Sequence, residues 1–341
     1  MGFFSSFFTK EIAIDLGTAN TIIVHKDKTI VDQPSIIAIN RNTGEVEACG
    51  TKALMMEGRT PEHIKVIRPL KDGVIADFQA TELMIINFLK IMNNQSKDLF
   101  PPALKMVVCI PSGITEVEER AVRDSSEQAG AKEIRLIHEP MAAAIGMGLN
   151  VLEPTGNMVV DIGGGTSEIA VIALGGIIND KSIRTAGDEF TEDIMRYMKS
   201  VHHLEIGRRT AEEAKISVGA AIKDLDEIPE PYIVKGNDLV TGTPKAVQIT
   251  HFEMVDALNE SIQLVENAVM SALEQTPAQL SADIYETGIH LAGGGALLRG
   301  LDKRLHKSTG LPIFIGEDPL RAVARGTSQA LKDFSYPFLK K

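Results

Sequence analysis

Cysteine is scarce in this sequence. Cys49 and Cys109 are the only two in 341 residues, and no CxxC pair is present. That argues against a structural zinc site and fits a reducing cytosol. Positive charge is also short, with 35 Lys and Arg against 46 Asp and Glu and a formal net charge of -11. A nucleic-acid binder needs a positive field, so that class is set aside. The same deficit means that bulk electrostatics will not draw the chain to an anionic membrane. No stretch approaches the roughly 20 apolar residues that span a bilayer. No basic segment followed by a long apolar core marks a secretory signal. What is present, 44% hydrophobic and 24% charged residues, is the composition of a soluble globular protein. The length exceeds one typical core and suffices for two lobes of about 150 residues each.

Strand-length apolar runs alternate with helical patterns, which predicts an α/β chain. Strands are expected over 11–24, 29–40, 105–110, 133–137, as a pair from 157, and over 289–291. Helices are expected over 81–92, from Thr115 to Gly130, and over 140–148, 188–203, 210–223, 250–275, 297–307 and 319–333. Thr115 with Glu118 three residues on forms a capping box. The stretch 226–242, rich in Pro, Gly and acids, is expected to hold loops and short strands.

A weak internal repeat stands out. IAIDLGTANTIIV (12–24) and VVDIGGGTSEIAV (159–171) each read as a strand ending in Asp, a tight Gly turn and a second strand. When Asp15 is set on Asp161, Gly17 falls on Gly163 and Asn20 on Thr166. Two copies half a chain apart fit two duplicated lobes better than a solenoid. A Gly-rich hairpin turn bares several backbone N–H groups on one side, a nest that holds a phosphate. Thr18, Ala19 and Asn20 would form one jaw, and Gly163, Gly164 and Gly165 the other. Asp15 and Asp161, just before the jaws, suit Mg²⁺ held through waters, because Mg²⁺ dehydrates reluctantly. Each turn alone reads equally as an ordinary hairpin with a capping Asp; the matched pair favours the phosphate reading. A third cluster, Gly293, Gly294, Gly295 and Ala296 in HLAGGGALL, follows a strand but lacks GxGxxG spacing. It suits a flat surface against which an adenine ring lies, or a plain helix-entry turn.

DLGTANT, DIGGGTSE and LAGGGALLRG, in this order, are similar to the phosphate-1, phosphate-2 and adenosine motifs of the actin, sugar-kinase and heat-shock-chaperone superfamily. IHEPMAAAIG (137–146) resembles that superfamily's first connecting helix, and IDLGTANT with EPMAAAIG resembles the MreB family in particular. The similarity runs from Lys10 to Phe334. It implies an actin-like ATPase fold: two lobes, each built on an RNase-H-like mixed sheet with flanking helices, and a nucleotide in the cleft between them. The first lobe would comprise 11–147 and 315–341, with a small subdomain near 32–78. The second would comprise 148–314, with a small subdomain near 181–247. The cofactors implied are ATP or GTP and Mg²⁺. Glu139 would face the γ-phosphate and orient the attacking water, with Thr166 helping to place it. Without the resemblance, Glu139 reads as a helix-dipole partner. His138 departs from the pattern, since an acidic residue is expected there. Glu212 and Lys215, at i and i+3 on one helix, would reach the ribose and adenine; by spacing alone they are an exposed ion pair.

The function implied is that of a slow ATPase whose filaments lie on the inner face of the cytoplasmic membrane and help determine cell shape. Its partners would be further copies of itself in paired protofilaments, RodZ, MreC, MreD and the wall-elongation synthases. A small-molecule kinase of the sugar type is the alternative, although no second candidate base besides Glu139 is evident. A peptide-binding chaperone would be expected to carry a further domain, and FtsA a C-terminal membrane helix. Here the apolar end is MGFFSSFFTK, which holds four of the chain's twelve phenylalanines. At about 100° per residue, Phe3, Phe4, Phe7 and Phe8 share an arc of roughly 140°. That makes residues 1–10 a short amphipathic segment able to lie in a membrane interface, or a tail that is disordered or packed on the body. The start also matches a myristoylation pattern, a coincidence in a bacterial protein. Leu99 and Phe100 resemble the family's second membrane-facing element, or belong to the core.

Overall fold

The computed structural model describes residues 9–94 and 103–340. Phe3, Phe4, Phe7, Phe8, Leu99 and Phe100 lie outside the described residues. Strands β1 (Thr9–Leu16), β2 (Asn20–His25) and β3 (Lys28–Pro34) form an antiparallel meander. Strands β4 (Ala103–Ile110) and β5 (Ala131–His138) extend it in parallel, giving the order β5-β4-β1-β2-β3. Helices α1 (Phe78–Asn94) and α2 (Glu116–Gln128) cover this sheet, their Met84, Ile85, Phe88 and Val122 packing on Ile12, Ile14, Met106 and Val108. The expected capping box opens α2: Glu118 N–H donates to the Thr115 hydroxyl, and Thr115 N–H donates to the Glu118 carboxylate at 2.9 Å.

After helix α3 (Glu139–Gly146) the pattern repeats. Strands β6 (Asn157–Ile162), β7 (Ser167–Ala173) and β8 (Gly176–Ile183) form a second meander. Strands β9 (Ile289–Ala292) and β10 (Ile313–Ile315) add in parallel, in the order β8-β7-β6-β9-β10. The two sheets therefore match strand for strand, β1 with β6 through β5 with β10. The weak sequence repeat is the trace of a duplicated sheet. Helices α4 (Gly187–Val201), α5 (Arg208–Val218) and α6 (His251–Glu274) pack on the second sheet. A three-stranded sheet (Ile37–Asn40, Val46–Cys49, Ile64–Ile67) follows the first meander, and another (Leu204–Glu205, Tyr232–Asp238, Pro244–Ile249) follows the second.

Three expected elements are shorter than their periodicity suggested, each because a local bond won. The 29–40 run breaks at Ser35, which leaves the sheet to donate its N–H to Ala19 O and its hydroxyl to Gly17 O at 2.6 Å. The 210–223 helix stops at Val218, because Ala221 N–H instead bonds Arg299 O. The 297–307 helix begins only at Leu301 (α7, Leu301–Thr309), since Gly300 holds φ 73 and cannot continue a helix. A single 3₁₀ turn, Gly294–Leu297, precedes that break. A short helix, Thr51–Met56, and another, Ala278–Thr287, had no clear periodic signal.

A third core lies between the sheets. It joins Val107, Cys109 and Ile137 of the first to Val159, Ala170 and Ile172 of the second, through α3 and helix α8 (Ala322–Ala330). Each of these helices leaves one sheet and packs against the other. They cross backbone to backbone. A Cβ on Gly146 would stand 1.8 Å from Ala322 O, and one on Gly326 would stand 1.8 Å from Ala142 O. In an isolated helix, Gly→Ala stabilises by up to about 1 kcal/mol. Here the added methyl must push the helices apart, and overpacking typically costs about 1–3 kcal/mol. Gly326→Ala should therefore lower the denaturant midpoint. An unchanged or raised midpoint would show that the crossing is looser than its geometry.

Candidate functional site

The two Gly turns face each other across the gap between the sheets. A Cβ on Gly164 would stand 2.7 Å from the Ala19 methyl, and one on Gly165 would stand 2.7 Å from the Thr18 hydroxyl. Only glycine allows so close an approach of turn to turn. Thr18 is buried, and its hydroxyl accepts from Gly73 N–H at 3.0 Å. Asn20 and Ala19 are exposed at the lip. Gly163 closes its own turn, donating its N–H to Thr166 O at 2.9 Å. Thr166 is buried beneath the 72–73 turn, where a Cβ on Gly73 would stand 2.9 Å from the Thr166 methyl.

Acidic side chains collect behind these turns. Asp15 and Asp161 are the penultimate residues of β1 and β6, opposite Ile22 and Glu168 in register, and by alternation with Ala13 and Val159 they lie on the inner faces. Burial, aided by Asp32, raises the Asp15 carboxyl to about 6, against the pull of the Cys109 thiol, which donates to Asp15 Oδ1 at 3.1 Å. Burial, with the charges of Asp15 and Glu168, raises Asp161 to about 7. Glu139 opens α3 and is pushed well above the carboxylate range by burial, then by Glu168, Asp161 and Asp15. This is the opposite of what helix-dipole pairing would do. Asp161 Oδ1 has no hydrogen-bond partner among the described residues. An orphaned, buried carboxylate oxygen beside a second carboxylate is costly, and it suits a hydrated divalent cation. On that ground Asp15 and Asp161 fit Mg²⁺.

The remaining expected residues lie on the second half. Lys215 pairs with Glu212 at 2.7 Å and also donates to Gly187 O at 2.7 Å and to Thr191 Oγ1 at 3.0 Å. Gly187 N–H in turn donates to Gly163 O at 3.1 Å. The ion pair is thus anchored beside the 163–165 turn rather than free in solvent. The third Gly cluster packs on the end of β6: a Cβ on Gly293 would stand 2.5 Å from Asp161 Oδ1, and one on Gly295 would stand 2.2 Å from Ile162 Cγ2. Gly294 lies against Leu320, and Ala296 is buried. Burial and the Lys340 charge lower the pKa of the His138 imidazole, whose Nδ1 lies 3.3 Å from Pro111 O.

Glu168 is the residue that sequence reasoning missed. It is fully buried in a strand whose residues after it, Ile169 to Ala173, are all apolar, and it accepts hydrogen bonds from Ser112 N–H at 3.0 Å, from the Ser112 hydroxyl, and from the Ser182 hydroxyl at 2.5 Å. An acid inside SEIAVIA was the available signal.

A family model described as MreB/Mbl protein matches residues 9–337. The cell shape-determining protein MreB of Escherichia coli (strain K12) is 47% identical over 334 residues, spanning 96% of this chain and 95% of the relative. The cell shape-determining protein Mbl of Bacillus subtilis (strain 168) is 45% identical over 325 residues, 95% of this chain and 96% of the relative. Among solved structures, MreB 5 of Spiroplasma citri bound to AMPPNP superposes with a TM-score of 0.89 at 34% identity, covering 95% of this chain and 96% of the other. A MamK double helical filament chain superposes at 0.79 with 18% identity over 96% and 99% of the two chains, a likeness of fold alone.

The raised carboxyls give the nucleotide-free protein a pH dependence. Both aspartates stand above their ordinary value of 3.8. Between that value and about 7 the folded chain holds protons that the unfolded chain has released, so stability falls as pH rises through this window and levels above it. The melting temperature should therefore drop from about pH 5 to about pH 7.5, and Asp161→Asn, which cannot ionise, should flatten the drop. Parallel curves for parent and variant would show that Asp161 is not protonated in the fold.

Proposed function

Because the chain belongs to the MreB/Mbl family, we propose that it binds Mg²⁺-ATP between its two sheets, hydrolyses it slowly and assembles into filaments. These filaments would lie on the inner face of the cytoplasmic membrane and help determine cell shape. The observation that carries this reading is the pair of facing turns, Ala19 against Gly164, with Asp15, Asp161 and Glu139 converging behind them. The bound nucleotide of the Spiroplasma relatives, AMPPNP in one structure and ADP in another, supports it. In this reading residues 11–147 and 315–341 form the first lobe and 148–314 the second.

Backbone N–H groups of the two turns hold the phosphates, with Thr18, Ala19 and Asn20 on one side and Gly163, Gly164 and Gly165 on the other. Asp15 and Asp161 would hold Mg²⁺ through waters, and the cation would supply positive charge for phosphoryl transfer. Glu139 accepts a hydrogen bond from the attacking water and fixes its line of approach, and Thr166 helps to place that water. Phosphoryl transfer depends mostly on such positioning. Gly293, Gly294, Gly295 and Ala296 present a flat face to the base, and Glu212 and Lys215 approach the ribose and adenine. The phosphate turns act on phosphates alone, so GTP stands beside ATP as the alternative nucleotide. RodZ, MreC, MreD and the wall-elongation synthases remain the partners to test.

Glu139→Ala should leave nucleotide affinity near that of the parent and lower phosphate release by about 10²-fold, the scale of a lost positioning group. Asp15→Ala should weaken Mg²⁺-ATP binding instead. Phosphate release by Glu139→Ala at the parental rate would remove that residue from the mechanism.

Attachment and assembly are coupled. No helix of the described residues is long and apolar enough to cross a membrane, so binding falls to Phe3, Phe4, Phe7 and Phe8, joined by Leu99 and Phe100. Full burial of one Phe yields about 1.5–3 kcal/mol, so a lone tail binds marginally and a filament of many binds tightly. With Mg²⁺-ATP the parent should sediment as polymer and float with vesicles. Deletion of residues 2–9 should abolish flotation and spare ATP hydrolysis. A protein that stays monomeric under both conditions would favour the small-molecule kinase.

A further inference from the structure

Glu168 lies where a purely structural account has difficulty. Strand β7 is buried along its whole length, and every other residue from Ile169 to Ala173 is apolar. A buried carboxylate persists only where several donors satisfy it. Glu168 has three, and two of them belong to the other half of the molecule. Oε2 accepts from the N–H and the hydroxyl of Ser112, which follows β4 of the first sheet, while Oε1 accepts from the hydroxyl of Ser182 on the neighbouring strand β8. The carboxylate therefore ties the second sheet to the 111–113 turn of the first.

That turn is fitted closely on both sides. A Cβ on Gly113 would stand 3.1 Å from Ser182 Cβ, and one on Gly73 would stand 3.0 Å from Pro111 Cγ and 2.9 Å from the Thr166 methyl. The carbonyl of Pro111, one residue before Ser112, lies 3.3 Å from His138 Nδ1. His138 is the N-cap of α3, and Glu139 follows it. A continuous set of contacts thus runs from Glu168 through Ser112 and Pro111 to His138 and the residue that opens α3.

We propose that Glu168 is a positioning residue for hydrolysis: its tie to Ser112 fixes the place of Glu139, on one side of the cleft, relative to Thr166 and Asp161 on the other. The proposal rests on the reading of Glu139 as the group that orients the attacking water. It assigns the two serines a role as well. Ser112 carries the connection between the sheets, and Ser182 holds the second carboxylate oxygen so that the first points at the turn. Glu168 faces the chemistry through Glu139 and does not itself touch the nucleotide. Its loss should therefore act on turnover and leave affinity alone, since the phosphate turns and the 293–296 surface keep their own contacts.

The test uses the full-length protein with Mg²⁺-ATP and compares Glu168→Gln, Ser112→Ala, Glu139→Ala and the double variant Glu168→Gln/Glu139→Ala. Affinity for a fluorescent ATP analogue and single-turnover phosphate release are read separately. Glu168→Gln and Ser112→Ala should each bind nucleotide within about threefold of the parent and hydrolyse it about 10-fold or more slowly, because small misplacements of a catalytic group are costly. The double variant should be no slower than Glu139→Ala alone, since residues acting through one another are not additive. Parental turnover in both Glu168→Gln and Ser112→Ala, beside a slow Glu139→Ala, overturns the positioning role and leaves the reading of Glu139 intact. An additive loss in the double variant, or a fall in affinity that matches the fall in turnover, also overturns it, because a general loosening of the fold would act in that way. Parental turnover in Glu139→Ala sinks the reading itself and the proposal with it. Ser112→Ala keeps the buried carboxylate and two of its three donors, the residue-112 N–H and the Ser182 hydroxyl, so its turnover decides between these outcomes if Glu168→Gln fails to fold.

Discussion

Two helices cross where only glycine fits, and the rest of the molecule is arranged around that crossing. Gly146 of α3 and Gly326 of α8 each meet the other helix's backbone, with Ala142 and Ala322 one turn away. Ordinary helix pairs keep their axes about 8–10 Å apart because side chains intervene; here none does. The consequence reaches beyond local packing. α3 leaves the first sheet and packs on the second, whereas α8 leaves the second and packs on the first, its Ala324 against Ala13 and Ile22. Neither half can complete its inner face without a helix from the other. The crossing is therefore both the joint between the sheets and the centre of the core that they share.

The same arrangement explains where the acids gather. The ends of β1 and β6 point into the gap between the sheets, and α3 begins beside them, so Asp15, Asp161, Glu139 and Glu168 are brought together by topology rather than by sequence. Burial raises each of these carboxyls, and their mutual repulsion adds to the cost for Glu139 and Asp161. A cluster of this kind survives only because the apolar cores on either side supply far more than it costs. Side-chain donors among the described residues reach Glu168 and Asp15, whereas Asp161 keeps an orphaned oxygen. Strongly perturbed acids lacking partners are the mark of a site shaped for a ligand rather than for stability.

Much of this was legible in the sequence because it is local. The strand, Asp, Gly turn and strand grammar of 12–24 and 159–171 is written in consecutive residues, and the capping box of Thr115 and Glu118 spans four. The hairpins of β1 with β2 and of β6 with β7, and the facing of their two turns, follow from those runs; the strands added in parallel and their order do not. What the sequence hid is set by partners distant along the chain. Ser35 breaks its strand for the carbonyls of Ala19 and Gly17. Ala221 leaves a helical pattern to bond Arg299. The glycines of α3 and α8, 180 residues apart, declare their purpose only when the helices meet. Glu168 was passed over for the same reason: its donors, Ser112 and Ser182, lie on either side of it in sequence and on different sheets.

The two copies of the sheet also show how a duplicated framework came to carry an asymmetric site. Position 22 in the first copy corresponds to 168 in the second, each directly opposite the strand-ending Asp. In the first copy it is Ile22, buried against Ala324 of α8. In the second it is Glu168, on the face that meets the start of α3. The helices differ in the same sense. α3 opens on Glu139-Pro140, and the 3₁₀ turn that leads into α8 has Asp318 at its N-cap and Pro319 after it. Asp318 is neutralised by Arg321 at 3.3 Å and Arg325 at 3.6 Å, whereas Glu139 is surrounded by like charges. An acid paired with arginine stabilises a helix end and has little capacity left for a water molecule. An acid held among carboxylates keeps its lone pairs available and its basicity high. The duplicated framework supplied two comparable helix entries, and side-chain chemistry at two pairs of positions made one of them a clasp with arginines and left the other an acid among like charges.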